Sequence, residues 1–334
     1  MPEHRGSDIR YRDLRPTAAT MPGMTSWPSK RFRPPTVALV FLAVAVLESL
    51  FTIIFSAFLI VHDDGWGPGS QYAVLSILIT VFLLYFAANA VFAENRFQLF
   101  AFFMVTVCMA TVFVVFKAVK YRSFGSLWHK SRLYVLAVKL VFDLAYCVLV
   151  PMSARRFGYR IFKTVGADVR LQDMYTVFLQ FISLLKLDFA FSIFLLLMSY
   201  LFFKISTTEL VLEILGLAIS LFWLFIGWAS AVRESTAGFK LFFAFSPATP
   251  AFVIYKLLQL FILSGVELKS GATPAQFAIV GGLFIVVRML LIYLAAAVLT
   301  NFGAGLKDRV FAVSLAHRRE QRERAMERKD YGAV

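Results

Sequence analysis

The sequence predicts an all-α protein, a polytopic bundle of transmembrane helices with eight spans, and three observations support that fold class. Hydrophobic residues make up 60% of the 334 residues, charged residues make up 16%, and the mean hydropathy is +0.74. In a soluble domain of this size, about a quarter of the residues are charged. The apolar residues also stand in blocks of about 20 residues or more, which is the length that crosses a bilayer as a helix.

Three regions follow from this pattern. Residues 1–35 form a basic, proline-containing N-tail without helical periodicity, which predicts a disordered segment. Residues 36–305 contain the apolar blocks and form the bundle. Residues 306–334 form a charged C-tail rich in Arg and Glu.

Two segments between the apolar blocks are predicted to lie on the membrane surface. Residues 117–132 combine basic and aromatic side chains, a composition that favours the headgroup region. Residues 153–171 carry Phe157, Ile161 and Val165 at every fourth position among basic residues, which predicts a short amphipathic helix.

Helix start signals delimit several of the spans. Thr36 follows two prolines and is an N-cap candidate, and the Ser-Thr-Thr-Glu run at 206–209 has the pattern of a capping box. Thr273 and Pro274 combine an N-cap with a proline in the first turn. The predicted spans lie at about 36–61, 71–93, 97–116, 133–152, 175–203, 209–232, within 239–264, and at 273–300.

The block at 239–264 is ambiguous because Pro247 and Pro250 interrupt it. Either residues 239–245 lie at the interface and a true span starts at Pro247 or Pro250, or the block is broken or re-entrant. A true span is preferred, since proline is favourable at the first helical position. In the preceding span, Gly216 and Ser220 form a pair of small residues that predicts the close approach of another helix.

The distribution of basic residues predicts the topology. With eight spans both tails share one side, and that side carries 23 Lys and Arg residues against seven on the other side. This excess places both tails in the cytoplasm. With seven spans the C-tail would move to the other side, so the eight-span topology is favoured although seven spans stay possible.

Ionisable residues recur inside the apolar blocks. One charge in the middle of a membrane costs about 2.5–3.5 kcal/mol, so these side chains are expected to face inward, meet at a common level and neutralise one another. Lys139 and Asp143 can pair within one helix. Lys186 and Asp188 lie about 200° apart around their helix axis, so they are expected to contact different neighbouring helices. The predicted buried charge network consists of Glu48, Lys139, Asp143, Lys186, Asp188, Glu213, Lys256 and Arg288.

Two functions are consistent with such a network. In a transporter or channel-like protein the acidic residues would bind cations or protons, Lys186 and Arg288 would set the local potential, and Asp188→Asn is predicted to abolish flux. In a receptor, scaffold or assembly subunit the same charges would form structural salt bridges that set the helix register.

Other functional classes find no support in the sequence. No nucleophile–base set or metal-ligand spacing occurs, and Cys108 and Cys147 form no motif, so we expect no enzyme activity, cofactor or metal. The net charge of +14 lies mostly in tails and loops, which indicates topology and attraction to anionic lipid headgroups rather than nucleic-acid binding. The expected partners are the lipid bilayer and, as open alternatives, another protein or further copies of this chain.

Overall fold

The structure is a computed structural model that describes residues 34–62, 68–120, 127–157, 161, 165–202, 207–261 and 274–307. The described residues are helical apart from short turns, and no strand occurs among them. Nine helices lie in these ranges: α1 (Thr36–His62), α2 (Pro68–Phe92), α3 (Arg96–Lys120), α4 (Leu127–Arg156), α5 (Val169–Phe202), α6 (Thr207–Arg233), α7 (Thr236–Phe245), α8 (Ala248–Phe261) and α9 (Pro274–Thr300).

Seven stretches within these ranges are long and apolar enough to cross a membrane, and α7 and α8 together form one of them, Thr236–Gln259. An eighth helix, α3, has a shorter apolar stretch, Arg96–Cys108, among its described residues. The predicted fold class is thereby confirmed, and the chain is a multi-pass integral membrane protein.

Helix α5 occupies the centre of the bundle. It is the most buried of the seven long helices, and it packs along α9. Its first half belongs to a core cluster with α6, α7 and the end of α9, whereas its second half belongs to a cluster with α1 to α4. Because α5 and α9 contribute to both clusters, they join the two halves of the bundle.

The ambiguous block is a helix broken in two. Helix α7 starts at Thr236, well before either proline, and a turn at 246–247 separates it from α8. A helix does begin beside Pro247, whose carbonyl accepts the N–H of Ala251, and the block is long and apolar enough to be the preferred true span. That stretch, Thr236–Gln259, begins earlier than predicted, and its first half carries Phe239 and Phe242, which are fully buried inside the bundle. Pro247 lies in the turn and Pro250 in the first turn of α8, where proline removes no hydrogen bond.

Of the predicted small pair, Ser220 lies against another helix and Gly216 does not. Ser220 is buried, and its Oγ lies 3.5 Å from Thr249 Oγ1 on α8. A Cβ atom built on Gly216 would meet no atom within 4 Å outside its own helix backbone. A Cβ on Gly227 would lie 2.7 Å from the Phe242 ring and 3.1 Å from Leu185. The glycine that allows α5, α6 and α7 to pack closely is therefore Gly227.

The connection between α2 and α3 is short, as residues 94–96 predict, and it is fixed to α5. The Asn95 side chain accepts a hydrogen bond from the Phe97 backbone N–H at 3.0 Å and donates one to Ser183 Oγ at 3.0 Å. Of the two predicted surface segments, 121–126, 158–160 and 162–164 lie outside the described residues. The remaining parts extend α3, α4 and α5 or flank them, and the position of both segments on the membrane surface stays a prediction.

Candidate functional site

The eight ionisable residues predicted to form one network divide by their contacts into three groups and one separate lysine. Asp188 and Arg288 form a closed pair between α5 and α9. Glu213 and Lys256 tie α6 to α8. The third group, the polar cavity, contains Glu48, Lys139 and Asp143.

The closed pair is sealed by aromatic side chains. Arg288 Nε lies 2.8 Å from Asp188 Oδ1, and both side chains are 1% exposed. The guanidinium of Arg288 lies 3.7 Å from the centre of the Trp223 ring, within the range of a strong cation–π contact. Trp223 Nε1 in turn donates a hydrogen bond to the Phe242 carbonyl at 2.9 Å. The pair thus links α5 and α9 to α6 and α7, although Asp188 Oδ2 and Arg288 Nη2 have no hydrogen-bond partner within the described residues.

The α6–α8 tie is a set of polar contacts around one ammonium and two carboxylates, and Glu213 Oε2 has no hydrogen-bond partner among the described residues. Lys256 Nζ lies 3.4 Å from Glu213 Oε1 and 3.7 Å from Glu209 Oε1. Ser199 on α5 donates its hydroxyl proton to Glu213, and Gln259 donates to Glu209. These contacts hold α8 against α6, whose outward surface is otherwise mostly apolar.

Lys186 stands apart from all three groups. Its ammonium lies 5.5 Å from the ring centre of Tyr85 on α2, whereas Asp188 contacts Arg288 on α9. Lys186 and Asp188 are two positions apart on one helix, so their side chains leave in nearly opposite directions.

The polar cavity lies among α1, α2, α3 and α4. Its volume is about 40 Å³. A cavity needs about 10–15 Å³ on this measure to hold one water molecule, so this one has room for a water or a small ion but not for an organic substrate. Besides the three ionisable groups, the lining consists of Ser76, Ile79, Thr80, Leu83, Thr106 and Ala110.

The charges in the cavity come from two helices. Glu48 on α1 is 7% exposed, while Lys139 and Asp143 on α4 are half-buried. The charges of Glu48 and Lys139 both act on Asp143, the first repelling and the second attracting its carboxylate. No direct ion pair joins Lys139 and Asp143 within the part of the chain that the structure describes, so the predicted pairing inside α4 is replaced by a shared cavity.

Tyr146 anchors Glu48 to the apolar core. Its phenol donates a hydrogen bond of 2.6 Å to Glu48 Oε2, and its ring packs edge-on against Phe41 and Phe102. The sequence reasoning missed this residue. Its position on α4, one turn after Asp143, was the available signal.

Two threonines complete the cavity as acceptors. Thr80 donates its hydroxyl proton to the Ser76 carbonyl at 2.7 Å, and Thr106 donates its proton to the Phe102 carbonyl at 2.9 Å. Because each hydroxyl has one proton and that proton is used, the oxygens are left with lone pairs only. The sequence reasoning missed these residues as well, although Ser76 and Thr80 share one helix face.

The types of side chain in the site limit which metal ions it could bind. Among the described residues no group of three or more His, Cys, Asp or Glu side chains could hold a metal ion. The polar cavity brings together two carboxylates and hydroxyl oxygens, and the lining that the structure describes contains no imidazole or thiolate, the ligands that zinc and copper prefer.

Comparison of the chain with protein-family models, with curated proteins and with solved structures gave no match.

Proposed function

We propose that the protein is a transporter or channel-like protein that moves a small cation, and that the polar cavity is its binding site. The observation that carries the proposal is that carboxylates of two helices, Glu48 on α1 and Asp143 on α4, border one cavity inside an apolar bundle. Charges in such an environment are costly, and where they border free space they are typical of ion or proton pathways.

The polarity of the lining supports a cation as the transported species. The two carboxylates and the Thr80 and Thr106 oxygens all offer lone pairs, whereas Lys139 is the cationic member of the lining. An anion would meet two negative charges and the Thr80 and Thr106 hydroxyl groups, whose protons are already donated to backbone carbonyls. The proton and an unhydrated alkali ion are the candidates that fit about 40 Å³.

The other ionisable groups have a structural role in this proposal. Asp188 and Arg288 neutralise each other under Trp223, and Lys256 is neutralised by Glu213. Asp143 and Glu48 therefore replace Asp188 as the residues expected to carry flux. We assign no catalytic role to any of these groups.

The orientation of the protein belongs to the same proposal. The excess of basic residues in the N-tail, the C-tail and the loops on their side supports cytoplasmic tails and contacts with anionic headgroups. Cysteines introduced into either tail should react with an impermeant thiol reagent only after the cell membrane is opened. Labelling in intact cells would contradict this orientation.

Flux measurements on purified protein in liposomes test the function. Asp143→Asn and Glu48→Gln should each lower proton or alkali-ion flux by about tenfold or more, since an interaction with a charged group contributes about 1.5–3 kcal/mol. Asp173→Asn is the matched control, because Asp173 is exposed in the first turns of α5. Unchanged flux in both cavity variants would exclude the polar cavity as the pathway.

A second candidate function is a receptor, scaffold or assembly subunit that transports nothing. It is favoured by the closed pair and the α6–α8 tie, in which opposite charges contact each other across helices, as expected of salt bridges that set the helix register. Wild-type liposomes without flux of protons, Na⁺ or K⁺ would support this alternative.

A further inference from the structure

The charges that face the polar cavity do not cancel. Glu48 contributes one negative charge from α1, and Asp143 contributes a second from α4. Lys139, also on α4, contributes one positive charge, while α2 and α3 contribute only hydroxyl and apolar groups. With all three side chains ionised, the cavity keeps one uncompensated negative charge.

Lys139 is placed to act on whatever occupies the cavity. It lies one helical turn before Asp143 on the same face of α4, and both residues border the cavity without a direct ion pair. The lysine side chain is half-buried, and its positive charge acts on the Asp143 carboxylate.

We infer that Lys139 sets the charge of the cation that the cavity accepts, so that the site takes one monovalent cation, a proton or an alkali ion, and rejects divalent ions. This inference rests on the function proposed above and names its substrate class. A monovalent cation brings the cavity to neutrality, whereas a divalent ion would leave a net positive charge in an apolar bundle. Such a charge is strongly disfavoured when it is unpaired.

Binding to the purified protein in detergent tests the inference. Thermal unfolding is followed by tryptophan fluorescence in NaCl, KCl or CaCl₂, with ionic strength held constant by a large organic cation. Wild-type protein should be stabilised by Na⁺ or K⁺, or by a lower pH, and not by Ca²⁺. Lys139→Met should gain stabilisation by Ca²⁺, at concentrations at least about tenfold below the highest at which the wild type shows none, because the net negative charge of the cavity doubles.

Three further variants separate charge from structure. Lys139→Met combined with Asp143→Asn returns the net charge to one negative and should restore the preference for monovalent ions. Lys139→Arg keeps the charge and should keep that preference. Lys186→Met removes a half-buried lysine that packs on Tyr85 outside the cavity and should leave the ion preference of the wild type unchanged.

Each outcome of these experiments either supports or overturns the inference. The inference is overturned if Lys139→Met binds Ca²⁺ no better than wild type, or if Lys186→Met gains Ca²⁺ binding to the same extent. If Lys139→Met does not fold, the arginine variant decides, since loss of the monovalent preference with the charge retained overturns the inference. Binding with the expected valence but no flux in liposomes would refute the proposed function alone, and flux without any change in valence would refute this inference alone.

Discussion

Asp188 on α5 and Asp143 on α4 are both aspartates inside the helix bundle, but their surroundings differ. Asp188 is 1% exposed, touches Arg288 at 2.8 Å, and lies in a region covered by the Trp223 ring. Asp143 is half-buried and borders a cavity of about 40 Å³ without a direct ion pair. A charged residue inside an apolar helix is therefore not sufficient evidence of transport. Asp188 Oδ2 also lacks a hydrogen-bond partner among the described residues, so the free volume beside Asp143, and not an unused acceptor, distinguishes the two sites.

The largest expected effect on stability is that of Asp188→Asn, and Asp143→Asn makes the same change in the polar cavity for comparison. Asp188→Asn leaves Arg288 buried without a counter-charge and should lower the free energy of unfolding by about 3–5 kcal/mol. Asp143→Asn should lower it by about 1 kcal/mol or less, since a half-buried site beside free volume is less costly to change. Denaturant unfolding of both variants in the same detergent measures the difference.

A double substitution shows whether the loss comes from the unpaired charge. Asp188→Leu combined with Arg288→Met removes both charges and should recover most of the stability lost in Asp188→Asn. Equal destabilisation by Asp188→Asn and Asp143→Asn would contradict the distinction between a closed pair and a cavity. Loss of flux in Asp188→Asn would be explained by loss of the fold and not by loss of an ion ligand.

An intermediate effect is expected at the aromatic cover of the closed pair. Trp223→Phe removes the hydrogen bond to the Phe242 carbonyl and weakens the contact with the Arg288 guanidinium. Together these losses should lower the free energy of unfolding by about 2 kcal/mol. Trp228→Phe on the same helix is the control, because Trp228 is 51% exposed and should change stability by about 0.5 kcal/mol or less. Equal effects of the two substitutions would mean that Trp223 does not seal the pair.

Local signals in the sequence were sufficient to predict most helix bounds. Helix α1 begins at the predicted N-cap Thr36, and α9 begins at Pro274 and ends at Thr300. Long apolar runs with prolines or capping residues at their ends determine such helices almost without reference to the rest of the fold. The start of α7 was missed because Phe239 and Phe242 are apolar in any setting, and their burial depends on Gly227 and Phe181 of other helices.

The contacts of the site could be predicted only in part. Sequence alone indicated which ionisable residues lie in apolar blocks, and helical spacing indicated that Lys186 and Asp188 address different neighbours. The choice of partners depends on tertiary packing, which brings Arg288 to Asp188 across exactly 100 residues of chain. The same packing brings Tyr146 to Glu48, and the position of Tyr146 one turn after Asp143 does not by itself identify Glu48 as its partner.

The smallest expected effect is at Tyr146, where the cavity region meets the apolar core. Tyr146→Phe keeps the ring packed against Phe41 and Phe102 and removes only the hydrogen bond to Glu48. Because Glu48 borders the cavity, a water molecule there can take the place of the phenol, and the free energy of unfolding should fall by about 1 kcal/mol. Tyr293→Phe, at a tyrosine that is 71% exposed, is the control and should have no measurable effect. A loss at Tyr146 as large as that of Trp223→Phe would mean that water does not reach Glu48, and the cavity region would then be as closed as the Asp188–Arg288 pair.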